Sequence, residues 1–187
     1  MAIPIEYRPC LPAPMTKAIN YTAREFLRDG SPVEIRALWQ EDEAAMLAAI
    51  ERTSAQSLQR RFFVTKRHFS EKERTFFMNV DFRNHVAIVA VTEDAGRKVI
   101  AGGGRYIVFE HGRAEMAFVV VDAWQGRGVG SVLMRHLIKL ARDAGLQELT
   151  ADVLLGNAAM RKVFEKFGFT STAHQDPQTL HLVLKLS

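Results

Sequence analysis

One segment joins a predicted strand to a predicted helix: Val119-Val120-Val121-Asp122-Ala123-Trp124-Gln125-Gly126-Arg127-Gly128-Val129-Gly130-Ser131. An apolar run over 116–121 leads into a turn with glycine at three alternate positions, and apolar residues then recur at helical spacing up to Ala144. Glycine lets the backbone approach a ligand closely, and the N–H groups at the start of a helix favour an anion. The segment therefore predicts a phosphate-binding loop made of backbone groups.

The glycine spacing separates this loop from two other phosphate loops. A Walker loop needs Lys and then Ser or Thr after its last glycine, and a dinucleotide-binding fingerprint needs its third glycine three residues after the second. The order here is Gln125-x-x-Gly128-x-Gly130. It resembles the pyrophosphate loop of the GNAT superfamily, the Gcn5-related N-acetyltransferases. A glycine-rich turn that only connects two elements is the alternative.

A second segment carries the same resemblance: Asn157-x-x-Met160-x-x-Val163-Phe164-Glu165-Lys166-Phe167-Gly168-Phe169. It is similar to a family helix, Asn-x-x-Ala-x-x-Leu-Tyr-Glu-Lys-x-Gly-Phe, whose asparagine contacts the pantetheine or orders nearby backbone and whose tyrosine often protonates the leaving thiolate. Phe164 replaces that tyrosine, so either another group donates the proton or the thiolate leaves unassisted. Asn157 is predicted to cap the helix, to contact the cofactor, or to do both.

Three further segments, 27–36, 54–63 and 114–120, resemble the catalytic domain of Pat-type bacterial protein lysine acetyltransferases. Those proteins also lack the tyrosine. In them the glutamate of an Ala-Glu-hydrophobic-Ala-Phe segment acts as the base, and the resemblance assigns that role to Glu115.

The strand pattern supports Glu115 independently. In the predicted strand 113–121, Glu115 alternates with apolar residues and so shares their face. Burial disfavours a carboxylate and raises its pKa toward a value useful for a general base, and an amine must lose a proton before it attacks. The alternative is an acid at the frayed start of the strand, paired with Arg113 or Arg105.

The chain is long enough for one domain with an arm, since it has 187 residues of which 48% are hydrophobic. We expect a Pro-rich N-terminal arm over 1–20 and a GNAT domain over 21–187. The resemblance implies a mixed α/β (α+β) fold whose central sheet has about six to seven strands and is flanked by helices. It also implies that the sheet splays between the fourth and fifth core strands.

Composition excludes several classes of protein. No run of about 18 apolar residues occurs, so no membrane span is expected. The net charge of +4 is spread along the chain, which argues against nucleic acid as a partner. With Cys10 the single cysteine, there is no disulfide framework, and the six histidines show no metal spacing. We expect a cytoplasmic protein without a metal, and His136 is interpreted as a packing residue.

The resemblance implies acetyl-CoA as cosubstrate and an acetyl transfer to a primary amine by direct attack, with Glu115 as base. Backbone N–H groups of the loop hold the pyrophosphate, and Arg127 adds charge. The expected cofactor contacts are Phe118, Val119, Val120, Gln125, Gly126, Arg127, Gly128, Val129, Gly130, Ser131, Asn157, Met160 and Phe164.

A protein lysine is the favoured acceptor. The alternatives are a small-molecule amine and a non-catalytic acyl-CoA-binding module. The basic set Arg60, Arg61, Lys66 and Arg67 fits either an acidic acceptor surface or, as favoured here, a solvated face. GNAT domains often pair, which favours a homodimer.

Overall fold

The computed structural model describes residues 17–63, 69–172 and 176–186. The predicted arm therefore lies largely outside the described residues, as do Cys10, Lys66 and Arg67. The strands are β1 Thr22–Phe26, β2 Pro32–Ala37, β3 His85–Asp94, β4 Arg97–Glu110, β5 Arg113–Val120, β6 Glu148–Leu154, β7 Thr170–Thr172 and β8 Thr179–Lys185. The helices are α1 Glu43–Glu51, α2 Ala55–Phe62, α3 Glu71–Met78, α4 Val129–Asp143 and α5 Ala158–Lys166.

All these strands belong to one mixed sheet in the order β1-β2-β3-β4-β5-β6-β8-β7. Neighbours pair antiparallel except β5 and β6, which are parallel and are joined by the crossover helix α4. The expected count of about six to seven strands was low. The sheet has eight because β1 and the short β7 both pair along their whole length at its two edges.

The sheet splays between β5 and β6, which confirms the expected architecture. Only three residue pairs join these strands, and the last is Glu115 with Thr150. Beyond it β5 continues to Val120 and β6 to Leu154 without pairing to each other. Polar backbone groups on the facing edges are thus left open to a ligand.

Helix α4 covers one face of the sheet through the apolar stripe that the sequence shows. Val132, Leu133, Leu137 and Leu140 are all buried, while Arg135 and Lys139 face outward. The helix follows directly on the glycine loop, so packing of this stripe fixes where the loop lies relative to β5.

The glycine run in β4 is both a bulge and a point of close packing. The register shifts by one residue between Gly102 and Ile100, which leaves Ala101 as a bulge opposite β3. A Cβ at Gly102 would lie 2.8 Å from the Val119 carbonyl oxygen, and a Cβ at Gly104 would lie 2.8 Å from Leu137 Cδ1. A side chain at 102 would push β5 away from β4, whereas one at 104 would displace the Leu137 side chain of α4.

His136 is buried in α4 and ties that helix to the first strand. Its Nδ1 is hydrogen-bonded to the Tyr21 hydroxyl, and its Nε2 lies 2.9 Å from Glu25 Oε1. It therefore has a structural role away from the glycine loop, although its contacts are polar as well as apolar.

Candidate active site

A cleft of about 330 Å³ opens where β5 and β6 separate. Its walls come from β5, the glycine loop, the start of α4, α2, α5 and the open part of β6. The cleft brings together all but one of the residues expected to form the site. Those that line it are Glu115, Phe118, Val119, Val120, Gln125, Gly126, Gly128, Val129, Gly130, Ser131, Asn157, Met160 and Phe164.

The glycine loop presents unpaired backbone donors at the start of α4. Gly126 and Gly128 have φ of 74° and 101°, a left-handed conformation that glycine adopts without strain. The first bond of the helix runs from Val132 N–H to the Gly128 carbonyl, 3.0 Å apart. The N–H groups of Val129, Gly130 and Ser131 therefore have no acceptor inside the helix and are free to bind an anion.

The Gln125 side chain holds the loop in place. Its Nε2 donates to the Val120 carbonyl and to Ser57 Oγ, each at 3.1 Å, and it lies at the same distance from Asp122 Oδ1. The Ser54 N–H, at the start of α2, donates to the other Asp122 oxygen at 3.3 Å. The loop is thus tied both to the end of β5 and to α2.

The structure does not bring the Arg127 guanidinium into the cleft. It lies 4.7 Å from the centre of the Trp124 ring and 3.4 Å from Asp29 Oδ2. Arg28, from the turn between β1 and β2, lines the cleft instead, and its N–H donates to the Arg127 carbonyl at 2.9 Å. Local sequence carries no signal for this residue, because the contact joins segments about a hundred residues apart.

Phe164 belongs to the wall of the cleft and to the core. It is 2% exposed and stacks on Phe118 with ring centres 5.4 Å apart, while Phe169 meets it edge-on at 4.8 Å. Three packed rings leave no proton donor at this position.

Asn157 caps α5, as one of the two interpretations expects. Its side-chain oxygen accepts from the Met160 N–H at 3.3 Å, and the residue also lines the cleft.

Glu115 lies half-buried at the point where β5 and β6 separate. Neither arginine proposed as its alternative partner holds it. Arg113 pairs with Glu110 and Glu148, each at 2.7 Å, and Arg105 donates to the Phe77 carbonyl at 3.1 Å and to His85 Nε2 at 2.9 Å. Within the described residues no hydrogen bond or ion pair engages the Glu115 carboxylate.

The electrostatic surroundings of Glu115 come from three elements. Burial, and then the Asp152 carboxylate on β6, raises the pKa of Glu115 above its ordinary value. Arg61 on α2 and His181 on β8 act in the opposite direction. Burial lowers the pKa of Arg61 to about 10, so the guanidinium remains charged at neutral pH. A raised pKa suits a carboxylate that takes up a proton near neutrality.

Besides Arg28, other polar residues of the cleft escape sequence reasoning in whole or in part, among them Ser57, Arg61 and Asp152. A solvated face was the favoured interpretation of the basic set that contains Arg61, but Arg61 lines the cleft, and burial lowers its pKa. Asp152 forms a hydrogen-bonded pair with His181, with 2.7 Å between Oδ1 and Nδ1. The alternation of β6 could have placed Asp152 on one face, but its position beside Glu115 depends on strand order.

The cleft fits an acyl-CoA. The free N–H groups at the start of α4 and the Arg28 guanidinium suit a pyrophosphate. The open edges of β5 and β6 suit an extended amide chain such as pantetheine. A Cβ at Gly130 would lie 3.5 Å from the Phe118 ring and would narrow the cleft between α4 and β5.

The described ranges add neither a metal site nor a membrane-spanning helix to this cleft. No cluster of three or more His, Cys, Asp or Glu side chains there is arranged to hold a metal ion. None of the helices in those ranges is long and apolar enough to cross a membrane.

Comparison with known proteins agrees with this geometry. The sequence model of the acetyltransferase (GNAT) family matches residues 37–169. An acetyltransferase of Pseudomonas aeruginosa is 33% identical over 156 residues, which are 83% of this chain and 84% of that protein. The acetyltransferase Pat of Mycolicibacterium smegmatis is 38% identical over 117 residues, which are 62% of this chain but 34% of that longer protein.

Solved structures show the same fold. The GNAT domain of S. lividans PAT has a TM-score of 0.81 and 31% identity, and the match covers 88% of this chain and 96% of that one. A Salmonella typhimurium acetyltransferase solved with its cofactor acetyl-CoA has a TM-score of 0.67 at 20% identity, and that match covers 83% of this chain and 94% of the other.

Proposed function

This chain belongs to the acetyltransferase (GNAT) family and uses acetyl-CoA, and we propose that it acetylates the side chain of a protein lysine with Glu115 as the general base. The observation that carries the proposal is the position of Glu115. It is a half-buried carboxylate, unpaired within the described residues, at the last paired position before the sheet opens. The likeness to Pat and to S. lividans PAT supports a protein as the acceptor.

The chain supplies binding, orientation and proton transfer. The thioester of acetyl-CoA supplies an activated acyl carbon. Backbone N–H groups of 129–131 and Arg28 bind the pyrophosphate, while Gln125 keeps the loop in shape. Glu115 takes a proton from the acceptor ammonium, directly or through water, and so leaves an amine with a free electron pair.

The leaving thiolate can be protonated without a proton-donating side chain at position 164. A thiol has an ordinary pKa near 8.5, so its thiolate is a tolerable leaving group at neutral pH. The amine carries a second proton after attack, which the thiolate can accept as the carbon–sulfur bond breaks. The buried Phe164 ring then serves to shape the cleft.

A second candidate acceptor is a small amine that carries a carboxylate. Arg61 favours it, because this charged guanidinium lines the cleft near Glu115. The Cζ of Arg61 lies 4.8 Å from the centre of the Phe62 ring, and among described residues no carboxylate is hydrogen-bonded to Arg61.

A homodimer and a cytoplasmic location stay predictions.

The test is CoA release from acetyl-CoA with a panel of acceptors: lysine-bearing proteins that include acyl-CoA synthetases, free amino acids, and polyamines. We expect turnover on a protein, and a drop in kcat/KM of about a hundredfold or more in Glu115→Gln. In the wild type, kcat/KM should fall as the pH drops through the raised pKa of Glu115, and this acidic limb should vanish in the variant.

Glu93→Gln is the matched control, since Glu93 is exposed near the β3–β4 turn. Glu115→Gln should fold normally at pH 7.5, because a carboxylate with a raised pKa stabilises the fold only when protonated. Wild-type rates in Glu115→Gln would remove Glu115 as the base. Turnover on small amines alone would favour the second candidate, and acetyl-CoA binding without any turnover would favour a binding module.

A further inference from the structure

We propose that Asp152 is the second carboxylate of the acceptor site: with Glu115 it holds the incoming ammonium group, and His181 positions it. The inference rests on the proposed amine acetylation, but it does not depend on whether the amine belongs to a protein or to a small molecule. It assigns a substrate-binding role to a residue outside the glycine loop and outside the α5 segment.

The register of the sheet places these groups on one face. Glu115 lies beside Thr150 in the parallel pair, and Asp152 is two residues further along β6, so all three side chains point to the same side. His181 is paired with Asp152 across the antiparallel β6–β8 ladder and points the same way. Helix α2, which packs against β5 and β6, brings Arg61 to that side.

Asp152 reaches the cleft because β5 has already separated from β6. No β5 residue is paired with Asp152, whose side chain lines the cleft and is 32% exposed. Its Oδ1 accepts a hydrogen bond from His181 Nδ1 at 2.7 Å, which fixes the rotation of the carboxylate. No described residue donates to Oδ2, so this oxygen is available to a ligand.

The charge of the acceptor explains why one carboxylate is not enough. A lysine or amino-acid nitrogen arrives as an ammonium ion, and Arg60 and Arg61 line the same cleft with positive charge. Once Glu115 takes up the proton it becomes neutral. Asp152 keeps a negative charge beside the nitrogen before and after that transfer, so the nitrogen stays in place for attack.

The experiment compares Asp152→Asn with the wild type in the full chain. We expect KM for the acceptor to rise about tenfold to a hundredfold, as for loss of a charged hydrogen-bond partner, with KM for acetyl-CoA unchanged. The acidic limb of kcat/KM should move to lower pH, because Asp152 raises the pKa of Glu115. His181→Asn, which can still donate to Asp152, should raise KM for the acceptor by a smaller factor, and its acidic limb should move to higher pH, because His181 lowers the pKa of Glu115.

Asp143→Asn is the control, since this acid ends α4 and pairs with Lys139 away from the cleft. An unchanged acceptor KM with an unmoved acidic limb in Asp152→Asn would overturn the inference alone. A rise confined to KM for acetyl-CoA would make Asp152 a structural residue and would also overturn the inference. A variant that loses stability without any shift of the acidic limb of kcat/KM would do the same. A wild type that acetylates no amine would overturn the proposed function, and the inference with it.

Discussion

Asn157 shows how one residue can serve both the fold and the site. It is 7% exposed, its side-chain oxygen caps α5 through the Met160 N–H, and it lines the cleft. The capping bond keeps the first turn of α5 in place, and that turn carries Met160 toward the acyl-CoA site. Stability and cofactor binding are therefore coupled at this residue.

Two substitutions separate the roles of Asn157. Asn157→Ala should lower the free energy of unfolding by about 1 kcal/mol, whereas Asn157→Ser should restore most of it because serine also caps helices. Urea unfolding and KM for acetyl-CoA are the measurements. If the amide contacts the cofactor, KM stays raised in the serine variant; recovery of both quantities would limit Asn157 to capping.

Strand β4 sets the position of β5, and with it one wall of the cleft. Its glycines let β5 and α4 come close, and the bulge at Ala101 bends the strand beside them. Neighbouring glycines differ in how much space they have. A Cβ at Gly102 would meet the Val119 carbonyl at 2.8 Å, while one at Gly103 would meet the Ile88 carbonyl at 3.4 Å.

We therefore expect Gly102→Ala to lower the free energy of unfolding by about 1–3 kcal/mol, as overpacking against backbone does. Because Val119 must shift, KM for acetyl-CoA should also rise. Gly103→Ala is the matched control, with ordinary contacts and little change in either quantity. Equal effects of the two variants in urea unfolding would refute close packing as the reason for glycine at 102.

At the scale of the whole molecule, buried histidines make the fold sensitive to acid. Burial, and then Arg105, lowers the pKa of His85 to about 3. The ring donates from Nδ1 to the Asn79 carbonyl and accepts at Nε2 from Arg105, so it is held neutral. Burial lowers the pKa of His136 as well.

Stability should therefore fall as the pH drops below about 6.5, the pKa of an unfolded histidine. The unfolded chain binds the proton there, while folded His85 does not until about pH 3, so protonation favours unfolding. Glu115 works in the opposite sense, since its raised pKa lets the folded state take up a proton first.

The measurement is the free energy of unfolding from pH 7.5 to pH 4.5 for the wild type and His85→Gln. Glutamine can keep both hydrogen bonds but does not titrate. The free energy of unfolding of the variant should fall less steeply as the pH is lowered, even where its stability at pH 7.5 is lower than that of the wild type. Parallel curves would show that His85 is not the group responsible.

The resemblance to the GNAT superfamily, taken from sequence alone, implied the fold class, and spacing within single segments predicted the phosphate loop, the helix that follows it and the face on which Glu115 lies. The signals were glycines at alternate positions, a 3.6-residue apolar period, and a two-residue strand period. Tertiary structure alone decided that Arg28 rather than Arg127 lines the cleft, and that Asp152 and His181 stand beside Glu115. Those neighbours lie far apart along the chain. Strand order, register and the packing of a loop side chain bring these residues together. The periodicity of residues within one segment carries no information about such long-range contacts.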